Sequence, residues 1–268
     1  LVPAGALSAQ ERRGSRGENG DGNRAGRKMR FLERGLDAYR KLRSKRGYTC
    51  DDCGREIFSY PTERLCEGCL SLLEKNDKSV CPKCGRKTLA EGVCLDCKRR
   101  VPPFARGMSA FVYGGEAARL INRLKNGERF LSRFFGERMA EVWKNSGLCA
   151  DAIVPVPLTA EKERERGYNQ SAELAKVLSE ETGIKYRNIL VKRRETSPQK
   201  ELSFRERAEN VKGAYRAAEK NACRGLKLLL ADDVTTTGAT GYECAAALLA
   251  AGAQEVFFLT ATSLPEKK

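Results

Sequence analysis

The sequence predicts an α/β protein in which a doubly wound, mostly parallel sheet is preceded by a small cysteine-rich domain. After residue 100, short apolar runs typical of buried strands alternate with helical segments, an order that indicates a parallel sheet with helices on both faces. Before it, eight of the eleven cysteines stand in four CxxC pairs. We therefore divide the 268 residues into a basic extension (1–48), a double zinc ribbon (49–100) and an α/β domain (101–268).

The elements of the α/β domain follow from apolar periodicity and from the glycines that end helices. Gly183 and Gly252 stand directly after two helical segments, where glycine readily adopts the left-handed backbone conformation. A charged stretch reaches to about residue 211 and is too long for a simple connection. In chain order the sequence predicts strand 107–113, helices 116–125 and 132–144, strand 152–156, helix 171–182, strands 185–191 and 226–231, helix 239–251 and strand 255–260.

The basic extension carries 13 basic and 5 acidic residues, which is more than half of the net charge of +15. Residues 9–28 contain almost no apolar side chains, so they cannot form a core. A helix is predicted near residues 30–43, just after Met29. Two interpretations of residues 1–28 stay open: a disordered basic arm that binds nucleic acid, or sequence upstream of a start at Met29.

The composition excludes several classes of function. The chain has no histidine, which excludes Ser-His-Asp and Cys-His catalysis and mixed Cys/His zinc sites. Any general acid or base must then be a carboxylate, Lys, Tyr or Cys. The net charge of +15 favours anionic partners, which are nucleic acid, phosphorylated small molecules or an acidic membrane surface. No apolar run approaches the roughly 20 residues that cross a bilayer, and we expect a soluble, cytoplasmic protein.

The four CxxC pairs predict two structural zinc ions. A CxxC turn places two thiolates on one side of a knuckle, and two such turns supply the four ligands of a tetrahedral zinc site. Disulfides are disfavoured in a reducing cytoplasm, and iron–sulfur clusters use other spacings. Because all four positions of each site are filled, the metal stabilises the fold and leaves no open position for catalysis. The predicted ligands are Cys50, Cys53, Cys66 and Cys69 in the first site and Cys81, Cys84, Cys94 and Cys97 in the second.

The sequence LLLADDVTTTGAT, residues 228–240, predicts a site for a ligand that carries both a phosphate and vicinal hydroxyls. An apolar strand ends on Asp232 and Asp233, and a loop of small hydroxylated residues follows before the next helix. Backbone N–H groups at a helix start, with Gly and Thr in the loop, bind anions. The two carboxylates can accept hydrogen bonds from ribose hydroxyls or hold Mg²⁺, directly or through water. Neither the Walker A pattern nor the dinucleotide GxGxxG pattern matches.

This segment resembles the signature of the type I phosphoribosyltransferases, which bind phosphoribosyl pyrophosphate (PRPP). Other segments resemble the competence protein F (ComF) family, whose double zinc ribbon the four CxxC pairs match. The resemblance covers about residues 49–264. The matching segments are LKN at 124–126, VPVPL at 154–158, RGYNQS at 166–171, TSPQ at 196–199 and LSFRERAENVKGAY at 202–215.

The resemblance implies a fold of the type I phosphoribosyltransferase kind and binding of PRPP with Mg²⁺. It also implies that the loop after the strand 153–156 binds pyrophosphate and that residues 192–216 form a basic, flexible hood over the ligand. The implied PRPP-binding residues are Asp232, Asp233, Thr235, Thr236, Thr237, Gly238, Ala239, Thr240, Pro157, Leu158 and Thr159. The implied catalytic residues are Asp232, Asp233, Arg166, Lys192 and Arg193.

The ComF resemblance further implies a role in DNA uptake during natural transformation, on single-stranded DNA in the cytoplasm, with a competence helicase or ATPase as a candidate partner. Tyr168, Phe204 and Tyr215 stand among basic residues and are candidates for stacking on bases, although core packing suits Tyr215 better. The alternative is an active nucleobase-salvage or other phosphoribosyltransferase with an appended structural zinc module. Residues that would recognise a base are not evident in the sequence. The predicted nucleic-acid contacts are Arg164, Arg166, Tyr168, Arg194, Lys200, Arg205 and Arg207.

Overall fold

The computed structural model describes residues 49–58, 63–193, 213–219 and 221–266. These residues belong to one compact unit, which spans Ser44–Lys268. The basic extension, with the helix predicted near residues 30–43, lies outside the described residues, as does most of the predicted hood, 194–212. In the described part of the chain, no helix is long and apolar enough to cross a membrane.

The seven described strands form a parallel sheet and a separate antiparallel pair. In chain order they are β1 (Arg106–Val112), β2 (Ala152–Pro155), β3 (Lys185–Tyr186), β4 (Leu190–Lys192), β5 (Tyr215–Ala217), β6 (Lys227–Thr235) and β7 (Glu255–Ser263). The main sheet is parallel throughout and has the order β1-β7-β6-β2-β3. Strands β4 and β5 form the antiparallel pair.

Two strand predictions differ from the structure in their extent. Residues 185–191 were expected to form one strand, but they contain β3, which pairs with β2, and the start of β4, which pairs with β5. Strand β6 was expected to end before Asp232, but it continues to Thr235. The reason is its neighbour: β7 keeps pairing with β6 as far as Ser263, so the acidic pair lies within the strand and not after it.

Helices cover the main sheet. In chain order the described helices are α1 (Glu67–Ser71), α2 (Leu95–Arg99), α3 (Gly115–Lys125), α4 (Leu131–Asn145), α5 (Ala160–Arg166), α6 (Gln170–Thr182) and α7 (Ala239–Ala250). Helix α6 begins where the Asn169 side chain accepts a hydrogen bond from Ser171 N at 2.9 Å, and it ends at Gly183, whose φ is +73°. Helix α5 was not predicted, because none of its residues is buried and its sequence therefore lacks apolar periodicity.

The two faces of the main sheet are covered by different parts of the chain. Because successive strand residues point to opposite faces, β6 contributes Leu229 to one core cluster and Leu228 to the other. The cluster with Leu229 includes residues of α3, α4 and α6, and it includes Cys50, Cys66 and Cys69 from residues 49–73, here called the first cysteine module. The cluster with Leu228 includes residues of α7 and the cysteines of residues 79–100, the second cysteine module. The predicted doubly wound, mostly parallel sheet is confirmed.

Candidate functional site

Strand β6 and helices α3 and α6 bring the acidic pair together with three polar side chains. Asp232 Oδ1 accepts a hydrogen bond from Ser171 Oγ at 2.7 Å, and Asp233 Oδ1 accepts one from Gln170 Nε2 at 3.3 Å. On its other oxygen, Asp233 forms an ion pair with Lys125, whose Nζ lies 2.6 Å from Oδ2. Both carboxylates are buried, at 7% and 4% exposure, so these contacts fix their orientation.

The two carboxyl groups have opposite pKa shifts. Burial, together with the neighbouring charge of Asp233, raises the pKa of Asp232 to about 8. Burial also disfavours the charge on Asp233, but the Lys125 ammonium outweighs it and holds the pKa of Asp233 below its usual range. In the same pair, the carboxylate of Asp233 outweighs burial and raises the pKa of Lys125. The charged pair of Asp233 and Lys125 therefore lies beside Asp232, whose carboxyl group a bound cation or donor hydroxyls would help to ionise. Carboxylate oxygens are ligands that Mg²⁺ prefers.

A cavity of about 650 Å³ opens beside the acidic pair, at the carboxyl edge of the sheet. Helix α7 starts there at Gly238, which has a φ of +77° and no side chain to accept from the N–H groups of the first helical turn. Helix starts of this kind bind anions through backbone N–H groups. The predicted residues that line the cavity are Asp232, Asp233, Thr235, Thr236, Gly238, Ala239, Thr240, Pro157, Leu158, Arg166 and Lys192.

Other predicted site residues lie elsewhere. Thr159 is buried and accepts a hydrogen bond from Lys162 N at the start of α5, and Thr237 lines a smaller cavity on the other side of its loop. Arg164 and Arg193 are exposed and do not line the cavity. The predicted nucleic-acid contacts Arg194, Lys200, Arg205 and Arg207, and the stacking candidate Phe204, fall outside the described residues.

The structure argues against base stacking by Tyr168. Its side chain is buried, and its hydroxyl donates to the carbonyl of Leu124 while accepting a hydrogen bond from Gly127 N. The guanidinium of Arg129 lies over the ring, 4.6 Å from its centroid. Tyr168 thus ties the end of α3 to the start of α6. Tyr215 is also buried, as expected for core packing, and it contributes to the cavity wall.

The structure also places at the site four residues for which the sequence indicates no role: Lys125, Gln170, Ser171 and Lys162. Three of them stand in the segments LKN and RGYNQS, which carried the family resemblance. The family resemblance was the one signal in the sequence that marked these residues. It could not indicate that Lys125 contacts Asp233, because the two are more than 100 residues apart in the chain. The contact exists only because the tertiary fold brings the last residue of α3 to Asp233 on β6.

The eight predicted zinc ligands form two groups of four thiols, and within each group all sulfur atoms lie within 4.8 Å of one another. Cys53 Sγ and Cys66 Sγ are 3.7 Å apart in the first group, and Cys84 Sγ and Cys94 Sγ are 3.6 Å apart in the second. A tetrahedral site with zinc–sulfur bonds of about 2.3 Å requires sulfur–sulfur distances of about 3.8 Å. The two groups therefore fit two zinc ions, one in each cysteine module.

Comparison with curated proteins identifies several relatives. The chain is 34% identical over 200 residues to the "DNA utilization protein YhgH" of Escherichia coli K12, a match that covers 72% of this chain and 87% of the relative. It is 32% identical over 203 residues to "Competence protein F" of Haemophilus influenzae, with the same coverage. "Competence protein ComFC" of Bacillus subtilis is 28% identical over 203 residues, 72% of this chain and 80% of the relative. No protein-family model matches the chain.

Comparison with solved structures gives weaker similarities. A glutamine PRPP amidotransferase from B. subtilis, complexed with ADP and GMP, is 23% identical with a TM-score of 0.34, and the match covers 48% of this chain and 26% of that one. TT1426 from Thermus thermophilus is 16% identical with a TM-score of 0.31, over 51% of this chain and 85% of that one. The assignment therefore depends on the sequence relatives and on the segments and cysteine groups described above. By its identity to competence protein F over most of both chains, this protein belongs to the ComF family.

Proposed function

We propose that this protein binds PRPP, or a related phosphorylated ribose, together with Mg²⁺ at the carboxyl edge of the main sheet. The observation that carries the proposal is the buried pair Asp232 and Asp233, held beside a helix that starts at glycine and facing a cavity of about 650 Å³. Acidic side chains suit ribose hydroxyls, and the helix start suits a phosphate. A phosphorylated sugar carries both groups, hydroxyls for the acidic side chains and a phosphate for the helix start.

Each part of the ligand has a counterpart in the cavity. The 5′-phosphate would lie against the loop 235–240 and the first turn of α7, and the ribose hydroxyls would donate to the acidic pair. The pyrophosphate would lie against Pro157 and Leu158, within reach of Arg166, whose planar guanidinium matches phosphate oxygens. Lys192, on β4, lines the same cavity.

Mg²⁺ would be held by the carboxylates of Asp232 and Asp233, directly or through water, and when bound it would neutralise pyrophosphate charge. The surrounding residues prepare the carboxylates for this ligand. Ser171 and Gln170 hold their orientation, and Lys125 keeps Asp233 ionised. Whether PRPP is also turned over is a separate question, which pyrophosphate release in the presence of a panel of bases and amines decides.

The first test replaces Asp233 by Asn, which preserves the size of the side chain and removes its charge. We expect the affinity for PRPP, measured by calorimetry with Mg²⁺, to fall at least about 100-fold, because the variant loses a charge-assisted contact to the ligand and a metal ligand. The matched control is Asp151→Asn, at the amino end of the sheet, where Asp151 Oδ2 accepts a hydrogen bond from Lys227 N. An unchanged affinity in folded Asp233→Asn would reject this site.

We further propose that the protein acts in DNA uptake on single-stranded DNA in the cytoplasm. Support comes from the relatives, which are named for competence and DNA utilization. It also comes from a second cavity, of about 430 Å³, that adjoins the first and is lined by three basic residues, Lys125, Lys162 and Arg166, and one acidic residue, Glu165. Such a basic groove suits a phosphate backbone. Exposed Arg164 lies on the same helix as two of these basic residues.

The test of this second proposal is the salt dependence of binding to a labelled single-stranded oligonucleotide. The logarithm of the affinity should fall linearly with the logarithm of salt concentration, and a Lys162→Ala, Arg164→Ala double variant should reduce the slope by about one to two. Lys144→Ala, on α4 and outside both cavities, is the control. Absence of binding at low salt would contradict the proposal.

A further inference from the structure

The second cysteine module reaches the predicted phosphate loop through one buried arginine. Arg86 follows the knuckle that ends at Cys84 and Gly85, and its side chain is only 7% exposed. One terminal nitrogen donates to Asp96 Oδ2 at 2.6 Å, within the same module. The other donates to the backbone carbonyl of Thr236 at 2.5 Å, 150 residues further along the chain. The contact therefore joins a metal-binding module to the loop proposed to hold the phosphate.

A second connection runs through the segment that follows β7. Leu264 N donates to the carbonyl of Thr235 at 2.8 Å, next to the carbonyl that Arg86 binds. Two residues on, Glu266 N donates to the carbonyl of Lys87 at 2.8 Å, and its carboxylate accepts from Leu95 N at 2.7 Å. The second cysteine module is thus bonded directly to one loop carbonyl and, at Glu266, to the end of the segment that bonds the preceding carbonyl.

The loop separates two cavities, and Arg86 lies behind it. Among the described residues, none from the second cysteine module lines the cavity of about 650 Å³. Arg86 and Thr237 instead line a smaller cavity of about 40 Å³. In a trans peptide the C=O and the following N–H point in opposite directions. When Arg86 holds the carbonyl of Thr236 on its own side, the N–H of Thr237 is directed away from Arg86, as an anion on the other side of the loop requires.

We infer that Arg86 is a positioning residue for the phosphate-binding loop, an inference that rests on the proposed function. Arg86 acts through the peptide between Thr236 and Thr237 and does not touch the ligand. Its forked guanidinium is needed for this, because it must bind Asp96 and the loop carbonyl at once. The affected ligand is a phosphate monoester such as the 5′-phosphate of ribose. A pyrophosphate group bound at Pro157 and Leu158 should not depend on Arg86.

The first cysteine module offers a matched control in Arg64. Its side chain is also largely buried, at 12% exposure, and its Nε donates to Glu137 on α4 at 2.9 Å. This contact joins the first module to a helix that lies on the face opposite α7. Arg86→Lys and Arg64→Lys therefore make the same chemical change in two equivalent modules, and only the first touches the loop.

The experiment compares the full-length wild type, Arg86→Lys and Arg64→Lys, each with its zinc content measured. The first readout is amide hydrogen exchange of residues 235–242 without ligand, and the second is the affinity for ribose 5-phosphate and for inorganic pyrophosphate. In Arg86→Lys we expect loop exchange to rise and ribose 5-phosphate affinity to fall, each about tenfold, because the carbonyl loses a charge-assisted hydrogen bond. Pyrophosphate affinity should stay within about twofold. A general loss of structure would instead change both affinities.

The outcomes separate the inference from the proposed function. If the wild type binds ribose 5-phosphate and Arg86→Lys binds it equally well with unchanged loop exchange, the inference is wrong and the proposed site stands. If Arg64→Lys has the same effects as Arg86→Lys, the loop responds to general loosening, and the inference is again wrong. If the wild type binds neither ribose 5-phosphate nor PRPP, the proposed function fails, and the inference fails with it.

Discussion

The two cysteine modules are built alike and are used differently. In each, a knuckle is framed by an isolated β-bridge, Thr49 with Glu56 in the first and Val80 with Lys87 in the second. In each, a short helix begins directly after the third cysteine, whose backbone N–H donates to the first sulfur at 3.2 Å or 3.4 Å. The modules nevertheless pack on opposite faces of the main sheet. The same cysteine module can therefore pack against two different sets of helices and strands.

The contacts of each module show what it supports. The first meets helices through side-chain ion pairs: Arg64 with Glu137 on α4 at 2.9 Å, and Asp52 with Arg123 on α3 at 2.5 Å. The second meets β1 through close backbone packing, and it meets the loop through the side chain of Arg86. Gly85 lies so close to Gly107 that a Cβ at position 85 would be 2.5 Å from its carbonyl oxygen. Side-chain ion pairs tolerate small shifts better than backbone packing, so the second module sets the geometry around it more strictly.

The largest effects should follow from removing one metal at a time. Cys69→Ser and Cys97→Ser each remove one buried ligand, and each should reduce zinc from two ions per chain to one and lower the free energy of unfolding by at least about 4 kcal/mol. If the modules differ as described, Cys97→Ser should also lose affinity for ribose 5-phosphate, while folded Cys69→Ser should retain it. Zinc analysis and calorimetry measure these effects.

The control for this pair is Cys149→Ser, because Cys149 is exposed and belongs to neither group. It should leave zinc content, stability and affinity unchanged. Equal loss of ligand affinity in Cys69→Ser and Cys97→Ser would remove the distinction between the modules. Iron instead of zinc, or no metal at all, would contradict the assignment of the cysteine groups.

A smaller effect should separate the two knuckle glycines. Gly54 and Gly85 occupy equivalent positions with φ of +74° and +72°, so alanine is strained equally at both, by about 1 to 2 kcal/mol. A Cβ at Gly54 has no atom within 4 Å, whereas one at Gly85 meets the backbone of Gly107 and Met108. Gly85→Ala should therefore cost about 2 kcal/mol more than Gly54→Ala, because backbone atoms cannot rotate away.

Urea denaturation of the two glycine variants measures this difference, with similar m-values as the check that the unfolded states are comparable. Equal losses of stability would mean that the second module is no more tightly packed against β1 than the first is against its helices.

Much of the fold could be predicted from the sequence, because its signals are local. Alternating apolar and amphipathic segments predict the parallel sheet, and CxxC spacing predicts the two groups of thiols. The predictions of secondary structure were wrong or incomplete where tertiary contacts determine the element. Strand β6 extends to Thr235 because β7 pairs with it, and α5 lacks apolar periodicity because none of its residues is buried.

The candidate site could be predicted only in part for the same reason. Asp232 and Asp233 and the loop after them form one continuous signal in the sequence. Two other residues come from distant segments: Lys125, which forms an ion pair with Asp233, and Arg86, which donates a hydrogen bond to the loop carbonyl of Thr236. The chain has 50 basic residues, and the sequence alone does not indicate which of them contacts the site, because the contact depends on tertiary packing.

The most direct test of the account is a crystal structure of the full-length protein with PRPP and Mg²⁺. We expect the 5′-phosphate against loop 235–240, with Arg86 on the opposite side of that loop, and the ribose hydroxyls or the cation at Asp232 and Asp233. We also expect a tetrahedral zinc ion in each cysteine module. PRPP bound elsewhere, or a phosphate that lies away from the first turn of α7, would contradict the account.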